Sequence, residues 1–297
     1  RADDTAWMLE ARGSHRGARQ GKDGLWGFVD LKGARLLGRG EVADFKQLEG
    51  VRGPVTDLPW KEEADPSLAT VTLASPVRPG ESVVVELEFL TQLPEVFART
   101  GYAGDFHMLG QWYPKLGVLG PDGRWQAHVF TLNAEFYADF GDYEVHLDVP
   151  EAMVVGATGI LVAADPPAEG RKRLHYRAEM VHDFAWAADP AFIELGANWK
   201  DLRIRQLIHP DRAADASRHL EALVATLESM EARFGPYPWS TITVIHPPDD
   251  ASGAQGMEYP TLFTTSEIIR FPLWVRMFGV EEQMSGVFTT IHEFGHQ

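Results

Sequence analysis

Two histidines near the end of the sequence have the spacing of a metal site. His292 and His296 are four residues apart in the stretch IHEFGHQ, so on a helix both imidazoles leave the same face about one turn apart. That spacing lets two nitrogens reach a single zinc ion at roughly 2.0–2.1 Å. Glu293, beside the first histidine, can then take a proton from a water that zinc acidifies. The pattern predicts a hydrolytic zinc site.

The segment around these histidines predicts the helix that must position them. Residues 280–297 carry apolar side chains at helical spacing, and this face is expected to pack inward. The apolar positions are Met284, Val287, Ile291 and Phe294. A surface helix with two incidental histidines is the alternative, and the apolar opposite face argues against it.

A second short motif, GMEYP (residues 256–260), follows a glycine-rich loop. Residues 257–265 are expected to form an edge strand, because proline is tolerated at a sheet edge. Without further context, Glu258 would be a polar residue on such a strand.

Composition excludes several classes of function. The absence of cysteine excludes disulfides and thiol catalysis, and leaves histidine and carboxylate as zinc ligands. A net charge of −16 would repel a phosphate backbone, so no nucleic-acid partner is expected. The same charge weakly favours a cationic ligand such as the free amino group of a peptide. No apolar run approaches the roughly 18–20 residues that span a bilayer, so no membrane-spanning segment is expected.

The first two thirds of the sequence predict an antiparallel β domain. Short stretches alternate apolar and polar residues, turn residues separate them, and no long helix is indicated. The predicted strands are residues 69–76, 82–90, 142–150 and 153–161. Five histidines are scattered through this region without ligand spacing, so structural or exposed roles are expected for them. They are His107, His128, His146, His175 and His182.

Helical periodicity begins near residue 197. A helix is predicted over residues 211–235 and a strand over residues 240–246. The expected fold class is therefore multidomain α+β, with a β domain over residues 1–197 and a mixed domain over residues 198–297.

The two motifs together resemble the zinc aminopeptidases related to alanyl aminopeptidase and leukotriene hydrolase, which are gluzincin metallopeptidases. In that family a Gly-x-Met-Glu-Asn strand lies beside the zinc helix. Gly256, Met257 and Glu258 match that strand, and Tyr259 replaces the usual asparagine, as in bacterial members with Gly-Met-Glu-Tyr-Pro. Further similar segments extend the resemblance over nearly the whole chain. They are residues 110–119, 181–192 and 233–248.

The resemblance implies a fold and a set of site residues. The fold is a saddle-like antiparallel β domain, with some N-terminal strands missing, followed by the truncated first part of a thermolysin-like α/β catalytic domain. One zinc ion would be held by His292, His296 and a glutamate beyond the chain end, with Glu293 as general base. The family's amine-binding strand assigns Glu258, with Gly256 and Met257, to the substrate's free α-amino group. Gln111 is the nearest match to a glutamine that assists this binding.

The implied activity is removal of N-terminal residues from peptides. The chain is expected to be a fragment cut at both ends and inactive by itself. A thermolysin-like endopeptidase shares the zinc helix but has no use for an amine-binding glutamate. A non-catalytic peptide-binding protein on the same scaffold would usually have lost Glu293 or a ligand histidine, and all three are present.

Overall fold

A computed structural model describes most of the chain as two compact units. The described residues are 27–40, 53–96, 99–129, 137–267, 277 and 285–297. The first unit comprises residues 1–92 and 112–139, and the second comprises residues 93–111 and 140–297. The boundary at residue 197 stays a prediction.

Strands dominate the described part of the chain. The first nine are β1 (Phe28–Gly40), β2 (Thr56–Asp57), β3 (Trp60–Glu62), β4 (Ala69–Val71), β5 (Ser82–Gln92), β6 (Gly101–Ala103), β7 (Phe106–Leu109), β8 (Val118–Leu119) and β9 (Trp125–Gln126). The next ten are β10 (Gly141–Pro150), β11 (Val154–Ala157), β12 (Ile160–Ala164), β13 (Arg171–Val181), β14 (Trp186–Asp189), β15 (Ile193–Trp199), β16 (Leu202–Ile208), β17 (Thr241–Ile245), β18 (Met257–Tyr259) and β19 (Leu262–Thr264). The helices are α1 (Ala216–Phe234) and α2 (Ser285–Gly295), with 3-10 turns at Pro210–Asp215 and Asp249–Ala254. Neither helix is long and apolar enough to cross a membrane.

The first unit is built on one long antiparallel pair. β1 pairs with β5 over most of its length, and β2 adds to the other side of β1. The remaining strands form two-stranded pieces, β3 with β4 and β8 with β9. The predicted strand over residues 82–90 is confirmed by β5, whose alternation suits a sheet with two unlike faces.

The second unit contains two antiparallel sheets and one mixed sheet. The antiparallel sheets have the orders β10-β13-β12 and β11-β14-β7-β6. The mixed sheet has the order β15-β16-β17-β19-β18. In it, β16 and β17 are parallel neighbours, and α1 forms the crossover between them, as parallel strands require. The described part of the chain is thus mostly antiparallel sheet with few helices, in agreement with the expected β-rich part.

The motif GMEYP forms a hairpin at the edge of the mixed sheet, so the expectation of a single strand over residues 257–265 is wrong. β18 pairs antiparallel with β19, and Tyr259 lies opposite Leu262. Pro260 and Thr261 make the turn between them. Proline fixes its own φ and has no N–H for a ladder, and Thr261 adopts a φ of 58°, which reverses the chain. The edge position of β18 agrees with the prediction.

Helix α2 buries only part of the expected face, since Phe294 is buried as predicted and Ile291 is not. Thr290, Glu293 and Phe294 are buried, whereas Ile291 is 41% exposed. The expected inward position of Ile291 is therefore wrong, because the buried side of this helix contains polar groups that find partners inside the unit. Met284 and the predicted helical residues before Ser285 lie outside the described residues.

Phe294 fixes α2 to the core of the second unit. It is 4% exposed and packs in one cluster with Leu223 and Leu227 of α1 and with Ile204 and Ile242 of the sheet. The adjoining residues of the same helix are the candidate zinc-site residues. Core packing therefore sets the rotation of the helix that carries them.

We expect Phe294→Ala to lower the free energy of unfolding by about 3–5 kcal/mol, because it removes a buried ring from a filled core. The control is Phe234→Ala at the end of α1, whose ring is 81% exposed. Chemical denaturation of both variants checks this. An equal, small loss of stability in both would contradict the core role of Phe294.

Candidate metal centre and neighbouring edge strand

A buried hydrogen-bond network holds the middle of α2. Thr290 Oγ1 forms hydrogen bonds with Nδ1 of His219 on α1 and with Oγ1 of Thr265, each at 2.8 Å. Burial lowers the pKa of His219 to about 4, although the negative charge of Asp215 opposes this shift. His219 therefore stays neutral near pH 7 and joins the two helices without burying a charge.

Gln297, two residues after the end of α2, forms hydrogen bonds with the GMEYP hairpin. Its Nε2 donates to the carbonyl oxygen of Tyr259 at 2.9 Å, and its Oε1 accepts from the backbone N–H of Thr261 at 2.8 Å. One side-chain amide thus bonds the last residue of β18 and the turn that follows it. The residue directly after His296 fixes the histidine helix relative to Glu258. Sequence reasoning missed this role, because a single glutamine after the motif gives no sign of which distant residues it will contact.

His292 and His296 lie as the helical spacing predicts. Their Nε2 atoms are 3.3 Å apart, and the ring planes are inclined at 78°. A tetrahedral ion with metal–nitrogen bonds of 2.0–2.1 Å separates two ligand nitrogens by about 3.3–3.4 Å. The pair therefore fits two positions on one zinc ion.

Two carboxylates lie close to His296. Glu258 of β18, Glu293 of α2 and His296 each place a donor atom within 4.8 Å of the others. Glu293 is 5% exposed, and Glu258 is half-buried. Histidine and carboxylate are the protein ligands that zinc accepts in the absence of thiolates. The fold thus brings both sequence motifs to one place.

The environment of Glu293 favours its protonated form. Burial, and after it the nearby negative charge of Glu258, raise the pKa of Glu293 to about 7. The positive charge of Arg99 acts in the opposite direction. The backbone of Arg99 has a φ of 62° and donates its N–H to the carbonyl of Gly253 at 2.7 Å. Sequence reasoning did not find Arg99, because it lies far from both motifs along the sequence.

Two glycines make room for the site. Gly256 has a φ of 68°, which favours glycine, and a Cβ there would come within 3.3 Å of Oε1 of Glu293. A Cβ on Gly110 would lie 1.9 Å from the hydroxyl oxygen of Tyr259. The side chains of Met257 and Tyr259 are 2% and 1% exposed. Since side chains alternate along a strand, burial of these two leaves Glu258 on the opposite face.

Gln111 follows the glycine that contacts Tyr259. Its φ is 53°, and its Nε2 donates to Oδ2 of the buried Asp183 at 2.6 Å. A non-glycine residue with positive φ is uncommon and is held by its surroundings. The expected role of Gln111 in amine binding stays a prediction.

Comparison with solved structures identifies the fold. The aminopeptidase A of Legionella pneumophila, solved with aspartic acid, superposes with a TM-score of 0.55 at 13% identity over 91% of this chain and 30% of its own. A two-domain M1 zinc metallopeptidase, solved as its E323A mutant with L-arginine, gives a TM-score of 0.50 at 15% identity over 91% of this chain and 56% of its own. The chain shares the fold of these M1 zinc peptidases. It spans only part of the length of each.

Sequence comparisons add little to this result. No protein-family model matches the chain. A probable septum site-determining protein MinC from Rhizobium rhizogenes is 31% identical over 124 residues. That match covers 40% of this chain and 50% of the relative, which is too small a share to show a family.

Gly110→Ala tests the contact that supports β18. The added methyl group must displace the Tyr259 hydroxyl or the backbone, so we expect a loss of about 1–3 kcal/mol in the free energy of unfolding. Gly196→Ala is the control, because a Cβ at Gly196 meets no atom within 4 Å. Thermal denaturation compares the two. A Gly110→Ala variant as stable as Gly196→Ala would contradict the close contact.

Proposed function

We propose that the protein is a zinc aminopeptidase that removes N-terminal residues from peptides. One observation carries the proposal: Glu258, on an edge strand, lies within 4.8 Å of Glu293 and His296 at the histidine pair. A zinc hydrolase acting on internal bonds meets no free amino group, so it has no use for a carboxylate that binds one. An aminopeptidase requires one, because it must select the charged end of its substrate.

In this proposal His292 and His296 hold the zinc ion, and the resemblance implies a glutamate as the third ligand. When bound there, zinc lowers the pKa of a water and polarises the carbonyl group of the scissile bond. The separation of 3.3 Å between the two Nε2 atoms supports the assignment of these ligands. The donor set of imidazoles and carboxylate is one that zinc accepts.

Glu293 is the proposed general base. Its carboxylate is buried on the same helix turn as the histidines, so it can accept a proton at one oxygen and return it to the nitrogen of the leaving amine. Gly256 leaves the space in which Oε1 of Glu293 lies. The low exposure of the carboxylate also keeps bulk water from competing for its proton.

Glu258 is the proposed anchor for the α-ammonium group. A charge-assisted hydrogen bond from the ammonium to this half-buried carboxylate would be stronger than one between neutral groups. The buried neighbours Met257 and Tyr259 hold its strand in place. Binding the amine at a fixed point determines which peptide bond reaches the metal, and so gives exopeptidase specificity.

Glu293→Gln tests the general base in the protein at its full natural length. The amide keeps the size of the side chain but cannot accept the proton, so we expect kcat to fall by at least about a hundredfold while zinc content is retained. Metal analysis and hydrolysis of amino-acid anilides measure the two quantities. Glu228→Gln, at an exposed position of α1, is the matched control. An active Glu293→Gln enzyme would remove this residue from the mechanism.

Glu258→Ala and blocked substrates test the amine anchor. We expect the variant to bind zinc normally but to show a raised KM and a lowered kcat, because losing the anchor also misplaces the scissile bond. The unaltered protein should cleave free-amine anilides and leave their N-acetylated counterparts intact. Equal cleavage of both substrates would favour an endopeptidase. Zinc binding without any turnover would favour a peptide-binding protein.

Loss of zinc from Glu258→Ala would give this carboxylate a different role. The cluster of Glu258, Glu293 and His296 is close enough for Glu258 to be a metal ligand itself. Zinc content therefore separates an amine anchor from a ligand, independently of the rate.

A further inference from the structure

A second group of metal-binding side chains lies on the exposed face of β10. Glu144 and His146 are two residues apart on this strand, so their side chains leave the same face. His175 of β13 is paired directly with His146 in the antiparallel register. Strand pairing therefore joins two histidines that show no ligand spacing in the linear sequence.

The donor atoms of this cluster are close enough to share one ion. Glu144, His146 and His175 each place one within 4.8 Å of the others. Nε2 of His175 is 3.3 Å from Oε2 of Glu144. A tetrahedral ion with bonds of 2.0–2.2 Å separates neighbouring ligand atoms by about 3.3–3.6 Å. This pair thus has the separation of two adjacent zinc ligands.

One ring nitrogen of His175 faces the carboxylate of Glu144. This Nε2 is buried and makes no hydrogen bond among the residues that the structure describes, and its ion-pair contact is with Oε2 of Glu144. Most buried polar atoms in proteins have a partner. A proton on the ring would bridge Nε2 to the carboxylate of Glu144, and a cation bound between the two atoms would take the place of that proton.

The arrangement of the two rings determines how an ion can enter. The rings of His146 and His175 stack with centroids 4.1 Å apart and planes 16° from parallel. The lone pair of an imidazole nitrogen lies in the ring plane, so two stacked rings cannot both point at one ion. His146 is exposed and has room to turn its ring out of the stack. Binding should therefore separate the stacked rings.

Other carboxylates offset part of the positive charge of the arginines beside the cluster. Asp148 forms ion pairs with Arg171 and Arg173, and Arg177 forms one with Glu179. These pairs lower the repulsion that the arginines would exert on a cation. The carboxylate of Glu144 supplies the negative charge at the cluster itself.

We propose that Glu144, His146 and His175 bind one divalent cation of the zinc, nickel or copper class. Two imidazoles and a carboxylate form a donor set that these ions accept. The ion would link β10 to β13 and stabilise their sheet, since it binds the folded protein. This site lies on different elements from His292 and His296, and it does not depend on the proposed peptidase function.

Zinc titration of a double variant tests the site in the full-length protein. His292→Ala combined with His296→Ala removes the other candidate pair and serves as the background. We expect calorimetry to show one saturable zinc ion per chain, and zinc to raise the Tm. Adding His146→Ala or His175→Ala should weaken this binding by at least about tenfold, because each removes a direct ligand. Adding His128→Ala, at an exposed position of the first unit, is the control.

Electron paramagnetic resonance with Cu²⁺ counts the nitrogen ligands of the bound ion, and a misfolded variant would not lose just one of them. The background variant should show coupling to two nitrogens, and addition of His146→Ala should reduce it to one. No zinc binding by the background variant would overturn the proposal. Equal affinity in the His146→Ala and His128→Ala variants would also overturn it. Absent peptidase activity in the parent protein would leave this site unaffected and would count only against the proposed function.

Discussion

Everything at the candidate centre depends on the burial of Phe294 between α1 and the mixed sheet. This ring fixes the rotation of α2, and three consecutive positions of the helix then acquire different environments. His292 is exposed, Glu293 is buried beside Glu258, and Phe294 lies in the core. A small rotation of the helix would move Glu293 away from β18 and expose the phenyl ring. Packing energy is therefore what keeps the polar groups in place.

Core packing sets the rotation of α2, and hydrogen bonds then hold the middle and the end of this helix. His219 holds the middle of α2 as a neutral partner of Thr290, and Gln297 holds its end to the GMEYP turn. Both partners are uncharged, so neither adds a net charge near the histidine pair. Burial, and after it the negative charge of Glu258, raise the pKa of Glu293, whereas the positive charge of Arg99 lowers it. Two acidic groups so close together favour a bound cation, whether a metal ion or an ammonium group.

The sequence predicted the spacing of the two histidines better than the packing of the helix that carries them. The spacing of His292 and His296 predicted their geometry because helical periodicity is local. The inward position of Ile291 was wrong because the partners of the buried face, His219 and Thr265, come from distant parts of the chain. The hairpin at Pro260 was missed because a threonine at positive φ gives no turn signal in the sequence. Each failure concerns a contact that only the folded chain supplies.

The two candidate cation sites differ in the same way, since one follows from local helical spacing and the other from contacts between distant parts of the chain. Histidines four apart on a helix are recognised from the sequence, since one element carries both and its period is known. His146 and His175 lie on different strands, and their meeting depends on the register of β10 with β13. A shift of one residue in that register would turn one of the two imidazoles to the opposite face of the sheet. Such a site is thus a property of strand pairing, and any ion bound there would in turn favour the register that creates it.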